Sequence, residues 1–112
     1  MIEFKNTRPF EKQFDRLRKK HHSLTQDLKK LKESLQVNPH QGADLGNGLR
    51  KVRMAIRSKG KGKSGGARII TYVDAITTEL DGTLTFLYIY DKSERSSITD
   101  SELKLLLEAM EL

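Results

Sequence analysis

The sequence predicts an α+β fold: an N-terminal helical hairpin packed on a small antiparallel sheet, itself a short N-terminal strand plus a three-strand meander, with a C-terminal helix. Three observations predict it. Leucines recur at helical spacing from Leu24 to Leu35, apolar residues alternate with cations after Arg50, and a helix-capping sequence precedes a further leucine stripe near the C-terminus. A length of 112 residues suits one domain, 1–112, with one modest core. Apolar residues make up 36% and aromatics are only four Phe and three Tyr, so that core is thin and built mainly from Leu, Ile and Val.

Residues 2–4 read as a short opening strand. Thr7 and Pro9 mark a helix entry, where proline is tolerated because its missing N–H has no partner in the first turn. Phe10, Phe14 and Leu17 then share a helical face, and His21-His22 interrupts it. Ser23-Leu24-Thr25-Gln26 reads as a capping box opening a second helix, whose seam is Leu24, Leu28, Leu31 and Leu35. Asn38-Pro39 ends that helix, and the segment to Gly48 reads as a polar loop. From Arg50 the period becomes two. Val52, Met54 and Ile56 face one way, and Lys51, Arg53, Ala55 and Arg57 the other. Four glycines between Lys59 and Gly66 make that stretch a hairpin loop, with strands returning at Ile69–Val73 and, after an Asp81-Gly82 turn signal, at Leu84–Tyr90. Thr99-Asp100-Ser101-Glu102 is a second capping box, followed by Leu103, Leu106, Leu107 and Met110 on one face.

The net charge is +6, which favours a polyanionic partner. Its distribution says more. Between Arg50 and Arg68 stand eight cations (50, 51, 53, 57, 59, 61, 63 and 68) and no acid, whereas the last third carries Glu79, Asp81, Asp91, Glu94, Asp100, Glu102, Glu108 and Glu111. A charge run is commonly no more than a solvated face. Here the basic face of a strand meets a loop bearing Lys59, Lys61 and Lys63 and a neighbouring strand opened by Arg68, so the cations converge. Charge alone supports binding to nucleic acid or another polyanion, since Lys and Arg neutralise phosphates without reading sequence.

Other chemistries find no support. Gly62-Lys63-Ser64 fails as a phosphate loop because the required first glycine is Arg57 and the loop joins two strands. His21, His22 and His40 lack a metal-ligand spacing and read as surface residues. No cysteine is present, so disulfides and thiolate metal sites are excluded and no cofactor is expected. Met1 to Lys5 has no apolar run of a signal peptide, and no stretch is long enough to span a bilayer, so a cytoplasmic protein without membrane contact is expected.

Three stretches together, Gly48-Leu49-Arg50-Lys51-Val52-Arg53-Met54, Gly60 through Ile70, and Leu87-Tyr88-Ile89-Tyr90-Asp91-Lys92-Ser93-Glu94, resemble the RelE/ParE superfamily of toxins. Gly62-Lys63-Ser64-Gly65-Gly66-Ala67-Arg68 is most similar to the HigB-like branch. The resemblance covers nearly the whole chain. It implies a toxin of a type II toxin–antitoxin system: a ribosome-dependent, metal-independent endoribonuclease (mRNA interferase) acting on mRNA. A cognate antitoxin, in many relatives one with a helix-turn-helix domain, would neutralise it. Lys51 and Arg53 match the family's paired basic residues, Arg68 the arginine that begins the next strand, and Lys92 a basic position after the last strand. Ser93 stands where well-studied members carry a further arginine and Thr99 where some carry a catalytic tyrosine, so the resemblance assigns no general acid.

The catalytic candidates are therefore Lys51, Arg53, Arg68 and Lys92, and the RNA-binding candidates Arg50, Arg57, Lys59, Lys61 and Lys63. Arginine stays protonated, which suits Arg53 and Arg68 to clamping a phosphorane; Lys51, crowded by Arg50, Arg53 and Arg68, is the candidate proton acceptor, and gripping phosphate is its alternative role. Lys92 or Tyr90 could assist. Two other functions share these features: a non-enzymatic nucleic-acid or ribosome-binding module, and a ParE-like inhibitor of DNA gyrase, against which the retained Lys51, Arg53 and Arg68 speak.

Overall fold

The computed structural model describes residues 1–74 and 81–110. The elements are β1 (Ile2–Asn6), α1 (Arg8–Lys20), α2 (Leu24–Val37), β2 (Ala43–Gly46), β3 (Leu49–Met54), a 3₁₀ turn at Arg57–Lys59, β4 (Ala67–Val73), β5 (Gly82–Asp91) and α3 (Asp100–Met110). The strands form one sheet in the order β1-β5-β4-β3-β2. The antiparallel β3–β4–β5 meander is as predicted, and β1 joins its edge parallel to β5.

Thr7 starts α1 as expected. Its hydroxyl accepts from Phe10 N at 3.3 Å and donates to Leu87 O at 3.0 Å, so the cap also fixes the helix to β5. Phe10 and Leu17 are buried, and Phe10 stacks on Phe86 with ring centroids 5.2 Å apart. The predicted α2 seam is buried in full. With Val52, Met54, Ile56, Ile69, Leu84 and Ile89 these residues form the main core between the two helices and one sheet face. On the opposite face α3 contributes Leu103 to a smaller cluster with Leu49, Ile70 and Leu87. An irregularity in the β4–β5 register after Ile70 lets consecutive Leu87 and Tyr88 both join that second cluster.

Four expectations need correction. The segment before Gly48 contains a strand, β2, which pairs antiparallel with β3; four mostly exposed residues with two-sided polarity carry no alternation to reveal it. Ser23 precedes α2 without capping it, because its hydroxyl donates to Asp27 Oδ2 at 2.7 Å and accepts from Ser58 N at 2.9 Å, tying α2 to the 3₁₀ turn. The alternating segment leaves the sheet after Met54, so Arg57 lies in the 3₁₀ turn and not on the strand. His21 is buried, and its Nε2 lies 2.8 Å from Asp91 Oδ2; His22 and His40 are exposed as expected. The Thr99–Glu102 capping box does form, with Thr99 N donating to Glu102 Oε1 and Glu102 N to Thr99 Oγ1. The Asp81-Gly82 turn signal borders residues 75–80, and Glu79 and Glu111 of the acidic third, like those residues, lie outside the described set.

Asp91, fully buried at the end of β5, joins three elements. Its Oδ2 meets His21 at the end of α1. Its Oδ1 accepts from Lys59 Nζ at 2.7 Å, Ser93 Oγ at 2.7 Å and Ser93 N at 2.9 Å. Burial alone pushes this carboxyl up, but the hydrogen bonds from Lys59, Ser93 and His21 outweigh it and hold the group well below the ordinary carboxylate range. A carboxyl depressed in this way adds stability that is complete above its unfolded titration range, near pH 4, and is lost as the pH falls below it. Asp91→Asn leaves Lys59 without its charge partner and is expected to cost about 3–5 kcal/mol at pH 7. Urea unfolding at pH 7 and in steps below pH 4 checks this: the gap between wild type and variant should shrink with acidification, and a gap independent of pH would contradict it.

Candidate active site

Cross-strand register builds the site. Arg53 on β3 lies opposite Arg68 on β4, which lies opposite Tyr90 on β5; one step along, Lys51 lies opposite Ile70 and Ile70 opposite Tyr88. These residues share the face away from the helical hairpin, by the period of two along each strand. α3 covers only part of that face. Beyond it an open cleft of about 470 Å³ is lined by Gln41, Gly42, Ala43, Lys51, Val52, Arg53, Lys63, Arg68 and Lys92. All four catalytic candidates and one of the RNA-binding lysines thus meet in one place, and no lining side chain is acidic.

Arg68 differs from the exposed residue the sequence suggested. It is 5% exposed, and Nη1 donates to Lys63 O at 2.9 Å and Ala67 O at 3.2 Å, while Nη2 donates to Ser64 O at 3.3 Å. Like charges directly opposite one another in a sheet repel; these carbonyls offset the repulsion from Arg53 and brace the glycine-rich loop. Three of the guanidinium's five N–H donors are committed, which leaves two for a ligand.

The loop is held at its far end by close approach. A Cβ on Gly66 would collide with Met54 O and meet Ala55 Cα at 3.0 Å, so only glycine lets β4 begin against the end of β3. Gly66 O accepts from Lys92 N at 3.0 Å, which places the turn after β5 beside the loop. Asp91 shapes the same turn through Ser93. Lys92 is half-buried, with Nζ donating to Ser96 O at 2.7 Å. Glu94, the next acid in sequence after Asp91, is drawn away by Arg16 at 2.8 Å and Lys20 at 3.0 Å, and the Arg16 hydrogen bond is the main reason its carboxyl is held down at about 2.

The remaining RNA-binding candidates separate. Lys63 lines the cleft and Lys61 is exposed on the loop. Lys59 turns inward to Asp91 with its side chain 11% exposed, so it is removed from the basic patch. Arg50 projects from the other face of β3, donating to Gly42 O at 3.2 Å and lying 3.9 Å from Asp44 Oδ2. Arg57 lines an adjacent cleft of about 430 Å³ that shares Gln41, Arg53 and Lys63 with the first. Tyr90 is 2% exposed, its hydroxyl is buried without a hydrogen-bond partner among the described residues, and the Arg95 guanidinium sits 5.4 Å from its ring centroid. Burial pushes the phenol up against the opposing effect of Arg68 and Arg95. Sequence reasoning missed Gln41 and the role of Asp91; the Asp-x-Ser spacing of 91 and 93 is the only local signal for the latter.

Among the described residues no group of three or more His, Asp or Glu is placed to hold a metal ion, and no helix is long and apolar enough to cross a membrane. The family described as "RelE toxin of RelE / RelB toxin-antitoxin system" matches residues 7–111. That span includes every strand and helix that builds the cleft, and the chain therefore belongs to the RelE toxin family, the toxin side of a toxin–antitoxin pair.

Proposed function

We propose that this toxin is an endoribonuclease that cleaves mRNA on the ribosome, and that the acid-free cleft holding Lys51, Arg53, Arg68, Lys92 and Lys63 is its active site. The convergence of these five cations carries the reading. The loop from Gly62 to Arg68 favours a HigB-like member. Such a cleft grips a phosphodiester and stabilises the charge of a phosphorane. The 2′-oxygen attacks the adjacent phosphorus, with Lys51 as the acceptor of its proton. The P–O5′ bond then breaks and the 5′-oxygen takes a proton, giving a 2′,3′-cyclic phosphate and a 5′-hydroxyl. Arg53 and the two uncommitted donors of Arg68 hold the non-bridging oxygens. Lys92 is better placed than Tyr90 to supply the second proton, since it lines the cleft and the Tyr90 hydroxyl is buried. No metal or other cofactor is needed for these steps. An open, shallow cleft orients a flexible strand poorly, and a ribosome that presents the mRNA in a fixed conformation supplies that orientation.

Lys51 and Arg53 are the cleanest variants, because Arg68 also braces the loop. Lys51→Ala is expected to lower cleavage by about 100-fold or more and to abolish growth arrest, with Arg53→Ala nearly as damaging. Expression in growing bacteria with mapping of new mRNA 5′ ends checks this; a Lys51→Ala protein that still arrests growth at wild-type levels removes that residue from the mechanism. Lys61→Ala/Lys63→Ala should weaken ribosome association and lower the slope of log affinity against log salt by about 1–2. Lys59→Ala should act on stability instead, because it leaves the buried Asp91 carboxylate without its charge partner.

The antitoxin of the pair should present an acidic segment to the cleft, where charge complementarity is greatest, and neutralise mainly by occlusion. A helix-turn-helix domain on that antitoxin would let the complex repress its own promoter. Amine-directed cross-linking of the complex should protect Lys51, Lys63 and Lys92. Contacts confined to residues 100–110, with those lysines still reactive, would contradict occlusion.

A further inference from the structure

The cleft beside the active site contains one group that the cleavage chemistry does not use. Asp27, on α2, is 4% exposed and lines that cleft of about 430 Å³. Its Oδ2 accepts from Ser23 Oγ at 2.7 Å and from Arg57 N at 3.2 Å. Its Oδ1 is buried and has no hydrogen-bond partner among the described residues. Nor does any cationic side chain of those residues form an ion pair with it. Ser23 and Arg57 need only Oδ2, and a buried oxygen left unmatched costs free energy, so the local hydrogen bonds account for only half of this carboxylate.

The surroundings of Asp27 restrict what could match it. Leu31, Met54 and Ala55 give the cleft an apolar wall, while Lys30, Arg53, Arg57 and Lys63 make it electropositive. A cationic side chain or a metal ion would meet the carboxylate but be repelled by those four cations. A neutral N–H donor with a flat body, attached to an anionic chain, satisfies all three features at once. Gln41, Arg53 and Lys63 line both this cleft and the active site. A strand whose scissile phosphate is held by Arg53 and Arg68 therefore carries a neighbouring nucleotide toward Asp27.

We propose that this cleft is a specificity subsite, in which the base next to the scissile phosphate lies against Leu31, Met54 and Ala55 and donates from an exocyclic amino group to Asp27 Oδ1. The inference rests on the ribonuclease reading of the active site and adds a preference within its substrate. Adenine, cytosine and guanine carry such a group. Uracil has none and turns a carbonyl oxygen toward the carboxylate instead, which repels it. The exposed Lys30 and Arg57 side chains turn aside as the base enters. Once shielded from water, a hydrogen bond to a carboxylate is strong enough to discriminate between bases. Asp27 acts on the choice of RNA and not on bond breaking.

The test measures cleavage by the purified toxin on ribosomes programmed with mRNAs that differ only in one base, on either side of the cut. On the side that enters the subsite, the wild type should cut the preferred amino base about 10-fold or more faster than uracil. It should also cut adenosine about 10-fold faster than purine riboside, the analogue that lacks only the amine. Asp27→Asn keeps an oxygen for Ser23 and Arg57 and puts an amide NH₂ in place of Oδ1, so it should reverse the preference toward uracil and erase the difference between adenosine and purine riboside. Glu3→Gln makes the same charge change on β1, at the opposite edge of the sheet from β3, and should leave both ratios as in the wild type. The purine riboside comparison on the wild type needs no variant, so it decides the matter even if Asp27→Asn does not fold. A wild type that cuts both analogues equally, or an Asp27→Asn protein that loses activity on every mRNA with the ratios kept, overturns the subsite alone. Failure of the wild type to cut any of the mRNAs overturns the ribonuclease reading, and the subsite with it.

Discussion

The buried carboxylate of Asp91 is the interaction on which the geometry of the cleft depends. It holds His21 at the end of α1, Lys59 at the start of the loop, and Ser93 in the turn that presents Lys92. Separate elements are thereby fixed against one another by a single charge. Arg68 completes the frame from the other side by donating to two carbonyls of the loop. The loop is rich in glycine, yet both its ends are tied by charge-assisted hydrogen bonds, which are stronger than those between neutral groups.

This framing resolves an electrostatic difficulty. Concentrating Lys51, Arg53, Lys63, Arg68 and Lys92 in one cleft costs mutual repulsion, and among the described residues no acidic side chain lines it to relieve that repulsion. The acids instead act around the rim. Asp91 faces Lys59, Glu94 faces Arg16 and Lys20, and Glu102 faces Arg95, whose hydrogen bond is the main reason the Glu102 carboxyl is held down at about 2. Each pair fastens a turn or helix that borders the cleft and leaves the cations inside it uncompensated. Unmatched positive charge is what a phosphodiester or an acidic antitoxin segment would then neutralise.

Much of the fold was legible because its signals are local. The leucine seam of α2, the Thr7 cap and the Thr99–Glu102 capping box depend on residues three or four apart, and each forms as read. The alternation through Val52, Met54 and Ile56 was enough to place Lys51 and Arg53 on the uncovered face. Where a residue's environment comes from distant chain, the reading failed. Nothing near Lys59 in sequence distinguishes it from Lys61 and Lys63, yet Asp91, thirty-two residues away, draws it inward. His21 became buried for the same reason, against the same distant carboxylate, whereas Arg68 is drawn in by carbonyls of the loop just before it, whose path its charge alone does not reveal. β2 escaped notice because its order comes from pairing with β3 and not from its own composition.

The central claim is that the cleft directs attack by the ribose 2′-oxygen. The most direct measurement is the chemistry of the RNA ends left when the purified toxin acts on mRNA-programmed ribosomes in the presence of a metal chelator, with Lys51→Ala as the control. The account predicts 2′,3′-cyclic phosphate and 5′-hydroxyl ends that are absent from the control. Ends bearing a 3′-hydroxyl and a 5′-phosphate, or no cleavage by the wild-type protein, would contradict it.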